Sequence, residues 1–370
     1  MKHINPYNFV PLDSTPPDRS TGYPGLLRWQ ENTYAGRLTC TLTTLGPAVT
    51  LDQRAPGKYP LGNGSSIKVF KFLRNSKGVP IFQGASLKGM IRTVYEALTN
   101  SCMPAAATSG KSSSRGRPAT YQYAPIGLHS RLHCDDMGQL CPACRLFGIT
   151  EGDKIHCQGR VAFGDAVLEK GALERSKKVF LKELSGPKPH HYPTYAGGAY
   201  SNRGKGSVIA GRKFFYHHRQ PPQCAVPKPK SWRSIAVDEY APGGVEFVFQ
   251  VYLVGLTPDE VGDLLLAIEL AEGLGHKIGV GKAIGLGSCT IRVVREKSFI
   301  ADSAGLYGSY SPNGEENWYA LKKNSARLPP RLGKILKLNK HTDGMIGYPD
   351  GRIGYPNNPI DENGVFVDLE

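Results

Sequence analysis

The sequence predicts an α+β fold, a β-sheet with helices packed on one face. Three observations predict it. Stretches of apolar residues alternate with polar ones at period two, the mark of half-buried strands. Two other stretches carry apolar residues at helical spacing. The succession strand, helix, strand occurs once in each half of the chain. With 370 residues, 40% hydrophobic and 21% charged, the chain has material for a large core, as one elaborated domain or two.

Residues 1–36 are rich in Pro and polar groups and read as an extended N-terminal arm, with an apolar patch at Phe9-Val10-Pro11-Leu12 that docks on the body. Residues 37–51 open with Leu38, Cys40 and Leu42 on one strand face, and residues 52–66 read as a loop. Ile67, Val69 and Phe72 alternate again, and NSKG (75–78) makes a turn. Leu87, Met90, Ile91, Val94, Tyr95 and Leu98 form a helical stripe, for which Ser86 is the expected N-cap. Residues 104–120, rich in Ala, Ser, Gly and Arg, read as a mobile basic loop. GRVAFGDAVL (159–168) reads as a strand that includes Asp165 in a structural role.

Residues 169–240 have weak periodicity and many Pro, Gly, His and Lys, and read as an inserted thumb or lid region. In EFVFQVYLVGL (246–256), Phe247, Phe249, Val251 and Leu253 share one face. Thr257-Pro258-Asp259-Glu260 is a capping box with Pro at the first helical position, followed by the stripe Val261, Leu264, Leu265, Ile268. A glycine-rich turn (273–287) leads into the strand SCTIRVVRE, and residues 298–370 form a loop-rich C-terminal extension. The core is thus expected in residues 37–168 and 241–297, arranged as in the ferredoxin-like split βαβ fold.

Lys and Arg number 46 against 31 acidic residues, a net charge of +15, which favours a polyanionic partner, nucleic acid above all. No apolar run approaches the roughly 18 residues that span a bilayer, and the first residues lack a signal-peptide layout, so a cytoplasmic protein with no membrane partner is expected. In that reducing setting the close trio Cys134, Cys141 and Cys144 suggests metal rather than disulfides. The C-x-x-C pair and Cys134 supply three thiolates, and tetrahedral zinc needs one more ligand. His133 is the nearest candidate; Cys102, His129, His156 and Cys157 are its rivals. A closed set of four makes the zinc structural.

Gly279-Val280-Gly281-Lys282 superficially suggests a P-loop. A P-loop follows a strand, opens a helix and sets Ser or Thr after its Lys. Here the glycines follow a helix and open a strand, and Ala283 follows Lys282, so a nucleoside triphosphate site is not expected. Such a turn still exposes backbone N–H groups to a phosphate, and His276, Lys277 and Lys282 add charge; the alternative is a tight connection with incidental lysines.

The glycine-rich turn between helix and strand, GASLKGMIR (84–92), CPACRLFG (141–148) and GRVAFGDA (159–166) together resemble, in order, the signatures of the RAMP superfamily. NPYNFVPL (5–12), SGPKPHHYP (185–193) and GRKFFYH (211–217) resemble a branch found among type III CRISPR effector backbone subunits. The matches run from residue 5 to about residue 295. The resemblance implies a ferredoxin-like (RRM-like) core, assembly with other subunits along a guide RNA, pairing of that guide with target RNA, and an antiviral role. Carried over by motif position, Ser86, Lys88, Arg92, Lys277 and Lys282 face guide phosphate, and Arg212 and Lys213 in GRKFFYH join the RNA-binding set. Ala85 departs from the pattern, where many relatives have Ser. Related proteins also carry a cysteine knuckle before LFG.

Catalytic members of the family use an Asp after the first strand for metal-dependent cleavage of target RNA. Asp52 is the candidate here and Mg²⁺ the implied ion, although the residues around it do not match the family's loop closely. Arg54 and Lys58 could place phosphate beside it. A second reading follows metal-free ribonucleases of other RAMP branches, in which a His is the general base, and points to His190-His191 and His217-His218, with Tyr192, Tyr195, Phe214, Phe215 and Tyr216 nearby to stack on bases. A third is a structural subunit with no nuclease role.

Overall fold

The computed structural model describes residues 7–19, 22–25, 31–61, 64–103, 134–151, 155–175, 179–181, 196–197, 208–209, 211–217, 234–302 and 318–338. The basic loop expected at 104–120, His129, His133, His190, His191, Tyr192, Tyr195 and His218 lie outside these residues.

β2 (Tyr34–Thr44) and β15 (Glu246–Leu256) form the spine of the main sheet, antiparallel, with Leu42 opposite Phe247 and Leu38 opposite Val251. Their alternation works as strand geometry requires: Leu38, Cys40 and Leu42 on one strand and Phe247, Phe249, Val251 and Leu253 on the other are all buried. β17 (Ser288–Val293) flanks β2, while β8 (Val161–Phe163) and β9 (Ala166–Lys170) flank β15, all antiparallel. α1 (Gly84–Leu98) leads from β2 towards β8, and α3 (Pro258–Glu269) leads from β15 to β17. In space the order is β17, β2, β15, then β8 and β9: the fourth strand beside the first, the first beside the third, the third beside the second. That interleaving is the ferredoxin-like arrangement within an α+β fold. β5 (Ile81–Phe82) extends the sheet beyond β9, β16 (His276–Lys277) extends it beyond β17, and β18 (Phe299–Asp302) pairs with the start of β2.

Both helices bury their predicted stripes in one core: Leu87, Ile91, Val94 and Tyr95 from α1, and Val261, Leu264, Leu265 and Ile268 from α3. α3 starts on the capping box the sequence shows, with Thr257 Oγ1 accepting from Glu260 N and Glu260 Oε2 accepting from Thr257 N. α1 differs from expectation. Its N-cap is Gln83, and Ser86 lies inside the first turn. The first free N–H, that of Gly84, donates to Asp165 Oδ1 at 2.8 Å. Asp165 sits between β8 and β9, so the helix is capped from a distant turn rather than by its own sequence. The approach is so close that a Cβ on Gly84 would lie 2.2 Å from the Phe163 carbonyl oxygen.

Smaller elements surround this core. β10 (Val179–Leu181), β14 (Ile235–Val237), β4 (Ser66–Phe70) and β3 (Gly57–Pro60) make a four-stranded sheet in that order, with β14 parallel to β4. Residues of the expected insertion are therefore paired with strands that precede α1. β1 (Tyr7–Val10) pairs antiparallel with β13 (Arg212–Phe215), so the arm docks through its apolar patch. α2 (Pro142–Phe147) runs into the hairpin of β6 (Gly148–Glu151) and β7 (Ile155–Gln158). β11 (Ala196–Gly197) pairs with β12 (Val208–Ile209), and α4 (Pro330–Ile335) adds Leu332 and Ile335 to the core. No helix among the described residues is long and apolar enough to cross a membrane.

His276 is buried on β16, where Nε2–H donates to the Ile268 carbonyl at 2.9 Å. Burial pushes its pKa down to about 4. Between the ordinary value of 6.5 and about 4 the unfolded chain therefore binds a proton that the folded chain refuses, and stability falls as pH drops through that window. The full effect is about 3 kcal/mol. Denaturant titrations at pH 7 and pH 4 are expected to show that much less acid destabilisation in His276→Gln than in the parent; equal losses would remove His276 from the explanation.

Candidate functional site

A cleft of about 500 Å³ lies between the start of α1, the glycine-rich turn, β13 and the segment that follows β2. The turn is fixed by backbone meeting backbone. Gly279 has a φ of +79°, and a Cβ there would stand 2.1 Å from the Val49 carbonyl oxygen. Val280 N donates to that same carbonyl at 2.9 Å, and Gly287 N donates to the Pro47 carbonyl at 2.9 Å. The turn is thus bonded to residues 47–49. Thr50, Leu51 and Gln53 come next and line the cleft, with Asp52 between them.

Four of the residues expected to bind RNA line this cleft: Ser86, Lys213, Lys277 and Lys282. No Asp or Glu lines it among the described residues. α1 points its start into the cleft through Gln83, Ala85 and Ser86; its first turn carries no acidic residue of its own, and the one carboxylate on it is that of Asp165, which takes the Gly84 N–H. Lys282 is half-buried, burial lowers its pKa, and its ammonium meets no hydrogen-bond partner among the described residues. Lys213 Nζ lies 3.7 Å from the centre of the Tyr7 ring and 5.2 Å from that of Phe215, and burial pushes its pKa down to about 8. Lys277 is different: its Nζ donates to the carbonyls of Gly285 (2.9 Å) and Leu286 (3.1 Å), so it closes the glycine-rich turn from within.

The other three expected RNA contacts are elsewhere. Lys88 is half-buried near Gly159, its pKa lowered by burial and then by the Arg92 charge. Arg92 is spent inside the protein: Nε donates to Glu96 Oε1 (2.8 Å), Nη1 to the Gly148 carbonyl (2.9 Å) and Nη2 to Cys144 Sγ (3.7 Å). Arg212 is buried, with Nη1 on Glu96 Oε2 (2.9 Å) and Nη2 on the carbonyls of Ser101 and Cys102. Glu96, which joins the two arginines, was not singled out in the sequence, although its spacing from Arg92 is that of a helical ion pair.

The cysteines converge. The Sγ atoms of Cys102, Cys134, Cys141 and Cys144 all lie within 4.8 Å of one another, and all four residues are buried. Zinc–sulfur bonds of about 2.3 Å in a tetrahedron space the sulfurs by roughly 3.8 Å, so the set fits a tetrathiolate ion site. Among the described residues the fourth member of the cluster is Cys102, one of the rivals named to His133, which lies outside them. Two backbone donors support thiolate charge: Cys141 N on Cys134 Sγ (3.2 Å) and Cys102 N on Cys141 Sγ (3.5 Å). Cys157 and His156 belong to β7, outside the cluster.

Asp52 is held by Arg54 in a two-pronged pair, Nε to Oδ1 at 2.9 Å and Nη2 to Oδ2 at 2.7 Å, and Arg54 N also donates to Oδ1 at 3.1 Å. The Arg54 side chain, then its backbone N–H, pushes the Asp52 carboxyl down to about 2. His217 has no freedom for acid–base work. It is 2% exposed, Nδ1 meets Ser288 Oγ at 3.0 Å, and Nε2 meets the Gly275 carbonyl at 3.0 Å. The reading of His217 as a general base is therefore corrected: it braces the fold.

The family model of the RAMP superfamily matches residues 41–290. No curated protein matches the chain. Similar solved structures include a chain of a type IV-B CRISPR complex (16% identity over 70% of this chain and 90% of that one, TM-score 0.34). Csc2 of Thermofilum pendens is similar at 14% identity, over 70% of this chain and 65% of that one, with a TM-score of 0.32. A chain of the type III-B Cmr-beta complex bound to cognate target RNA is similar at 15% identity, over 73% and 61% of the two chains, with a TM-score of 0.32.

The Asp52–Arg54 pair makes a direct prediction. By carbon-detected NMR the Asp52 carboxyl is expected to titrate near 2, and in Arg54→Ala to move up towards the ordinary 3.8. An unchanged midpoint would show that the pair does not persist in solution.

Proposed function

This chain belongs to the RAMP superfamily, and from that premise we propose that it is a guide-RNA-binding subunit of a type III CRISPR effector complex. The observation that carries the reading is the cleft: three lysines, a helix start and a glycine-rich turn converge on one space that no described carboxylate lines. A desolvated ammonium such as that of Lys282 gains most from an anion beside it. Helix starts and exposed backbone N–H groups suit phosphate in the same way. Contacts of this kind grip a sugar-phosphate backbone and carry no sequence information, which is what a subunit that accepts any guide requires. Target RNA pairs with the guide held there, and neighbouring subunits continue the assembly. The four thiolates hold a structural zinc ion that clips the end of α1 to the knuckle.

Asp52 is assigned to target cleavage. A carboxyl held near 2 stays ionised at neutral pH and is a poor proton acceptor, so its use is to hold a cation. Magnesium, when bound there, would offset charge on the scissile phosphate as the adjacent 2′-oxygen bonds to phosphorus, its proton passing to solvent, and the bond to the 5′-oxygen breaks, leaving a 2′,3′-cyclic phosphate and a 5′-hydroxyl. Arg54 must leave the carboxylate for this, and its guanidinium is then free to take a phosphate oxygen. Among the described residues nothing favours a His-based ribonuclease.

Two measurements test the reading. Fluorescence anisotropy with single-stranded RNA is expected to show salt-sensitive binding, which Lys282→Ala weakens about tenfold while flattening the log–log salt slope by about 0.7; binding indifferent to salt and to Lys282 would sink it. In the reconstituted complex, cleavage of guide-complementary RNA is expected to stop in Asp52→Ala and in chelator. Cleavage that survives in the mutant makes this subunit a scaffold.

A further inference from the structure

The cleft and the cysteine cluster share no residue, yet adjacent residues of one strand join them. Among the described residues β13 pairs with β1 alone, and a two-stranded ribbon is not stable by itself. Its position on the body is set by Val10, Phe214 and Tyr216, which pack into the main core, and by polar pins at either end. Beyond its C-terminal end, His217 bonds to Ser288 and to the Gly275 carbonyl. At its N-terminal end, Arg212 reaches the carbonyls of Ser101 and Cys102 and the carboxylate of Glu96. The next residue, Lys213, is on the cleft wall.

The Arg212 pin ends on the thiolate cluster. Cys102 is itself one of the four sulfur donors. Ser101, whose carbonyl Arg212 also takes, accepts through Oγ from Ala143 N at 3.0 Å, inside the Cys141–Cys144 turn. Glu96 passes from Arg212 to Arg92, and Arg92 to Cys144 Sγ and the Gly148 carbonyl. A divalent ion in four thiolates leaves surplus negative charge, which the Arg92 guanidinium partly offsets.

We propose that Arg212 is a positioning residue that couples the thiolate cluster to the RNA cleft: with the cluster closed around its metal, Arg212 holds β13 so that Lys213 stands on the cleft wall. The inference rests on the cleft being the RNA site. Loss of the metal releases Cys102 and the end of α1, with them the carbonyls that Arg212 grips, and RNA affinity falls although the metal touches no RNA.

The test is a double-mutant cycle on the full-length, metal-loaded protein. Arg212→Gln, Lys213→Ala and the double variant are compared by anisotropy with fluorescent single-stranded RNA at fixed salt, by zinc content per chain, and by amide exchange of residues 7–10 and 212–215. Arg212→Gln is expected to keep its zinc, exchange faster in those strands, and lose about fivefold in affinity, close to the loss in Lys213→Ala. The double variant is expected to lose no more than either single one, because both act through one contact. A role confined to stability would not produce that non-additivity. Multiplying losses, or an Arg212→Gln protein that binds RNA like the parent, would overturn the coupling. Should Lys213→Ala also bind like the parent, the cleft itself is not the RNA site and both readings fall. If Arg212→Gln does not fold, Glu96→Gln, which removes the charge and keeps the shape, carries the same cycle with the same outcomes.

Discussion

The cleft exists because backbone meets backbone at its two ends with nothing between. At one end the start of α1 presses on the turn between β8 and β9, where a Cβ on Gly84 would lie 2.2 Å from a carbonyl oxygen. At the other the glycine-rich turn presses on the segment after β2, where a Cβ on Gly279 would lie 2.1 Å from another. Neither approach tolerates a side chain, and both border one cavity. β2 and β17 are neighbours in the main sheet, which brings the segment after β2 beside the turn that precedes β17. The lysines come after this geometry, as additions to it.

Among those lysines, charge alone did not decide function. Lys277 and Lys282 lie in one turn, and a sequence cannot tell them apart. One turns inward to two carbonyls and closes the loop; the other stays in the cleft without a described partner. The difference follows from the carbonyls of Gly285 and Leu286, which lie within reach of Lys277 and which a buried cation can satisfy. The same sorting applies to Arg92 and Arg212. A planar guanidinium with several donors is suited to gathering buried carbonyls and a carboxylate into one network. The chain uses these two so, while Lys213, on the cleft wall, sets its compact ammonium over the Tyr7 ring.

What could be read from the sequence was what is local. Alternation in residues 246–256, the stripe of α1 and the capping box of α3 are patterns within one element, and the structure reproduces them. The spacing of Cys141 and Cys144 is local too, and it marked a metal-type site. The fourth thiol could not be read, because Cys102 lies 39 residues before Cys141 and meets it only once α1 has packed. The cap of α1 failed for the same reason: Ser86 is a good capping residue, but the donor at the helix start is taken by Asp165, 81 residues on. His217 stood out as a histidine beside another in a basic segment, and burial removed it from solvent. Burial is a property of the fold and has no local signature.

Asp52 raises the sharpest physical question about the site as proposed. A carboxylate beside a phosphate-binding cavity repels the ligand, and at a few ångströms that repulsion is not fully screened. Arg54 resolves it in the free protein, since the two-pronged pair leaves little net charge at that point. When RNA arrives, its phosphates compete for the guanidinium, and the carboxylate is freed only as a negative charge comes close to it. That combination of two anions is unfavourable unless a cation sits between them. A site of this form therefore favours a divalent ion once RNA is in place, and not before. The weak match of the Asp52 loop to the family pattern bears on which residues complete such a site, while the pairing with Arg54 governs when it forms.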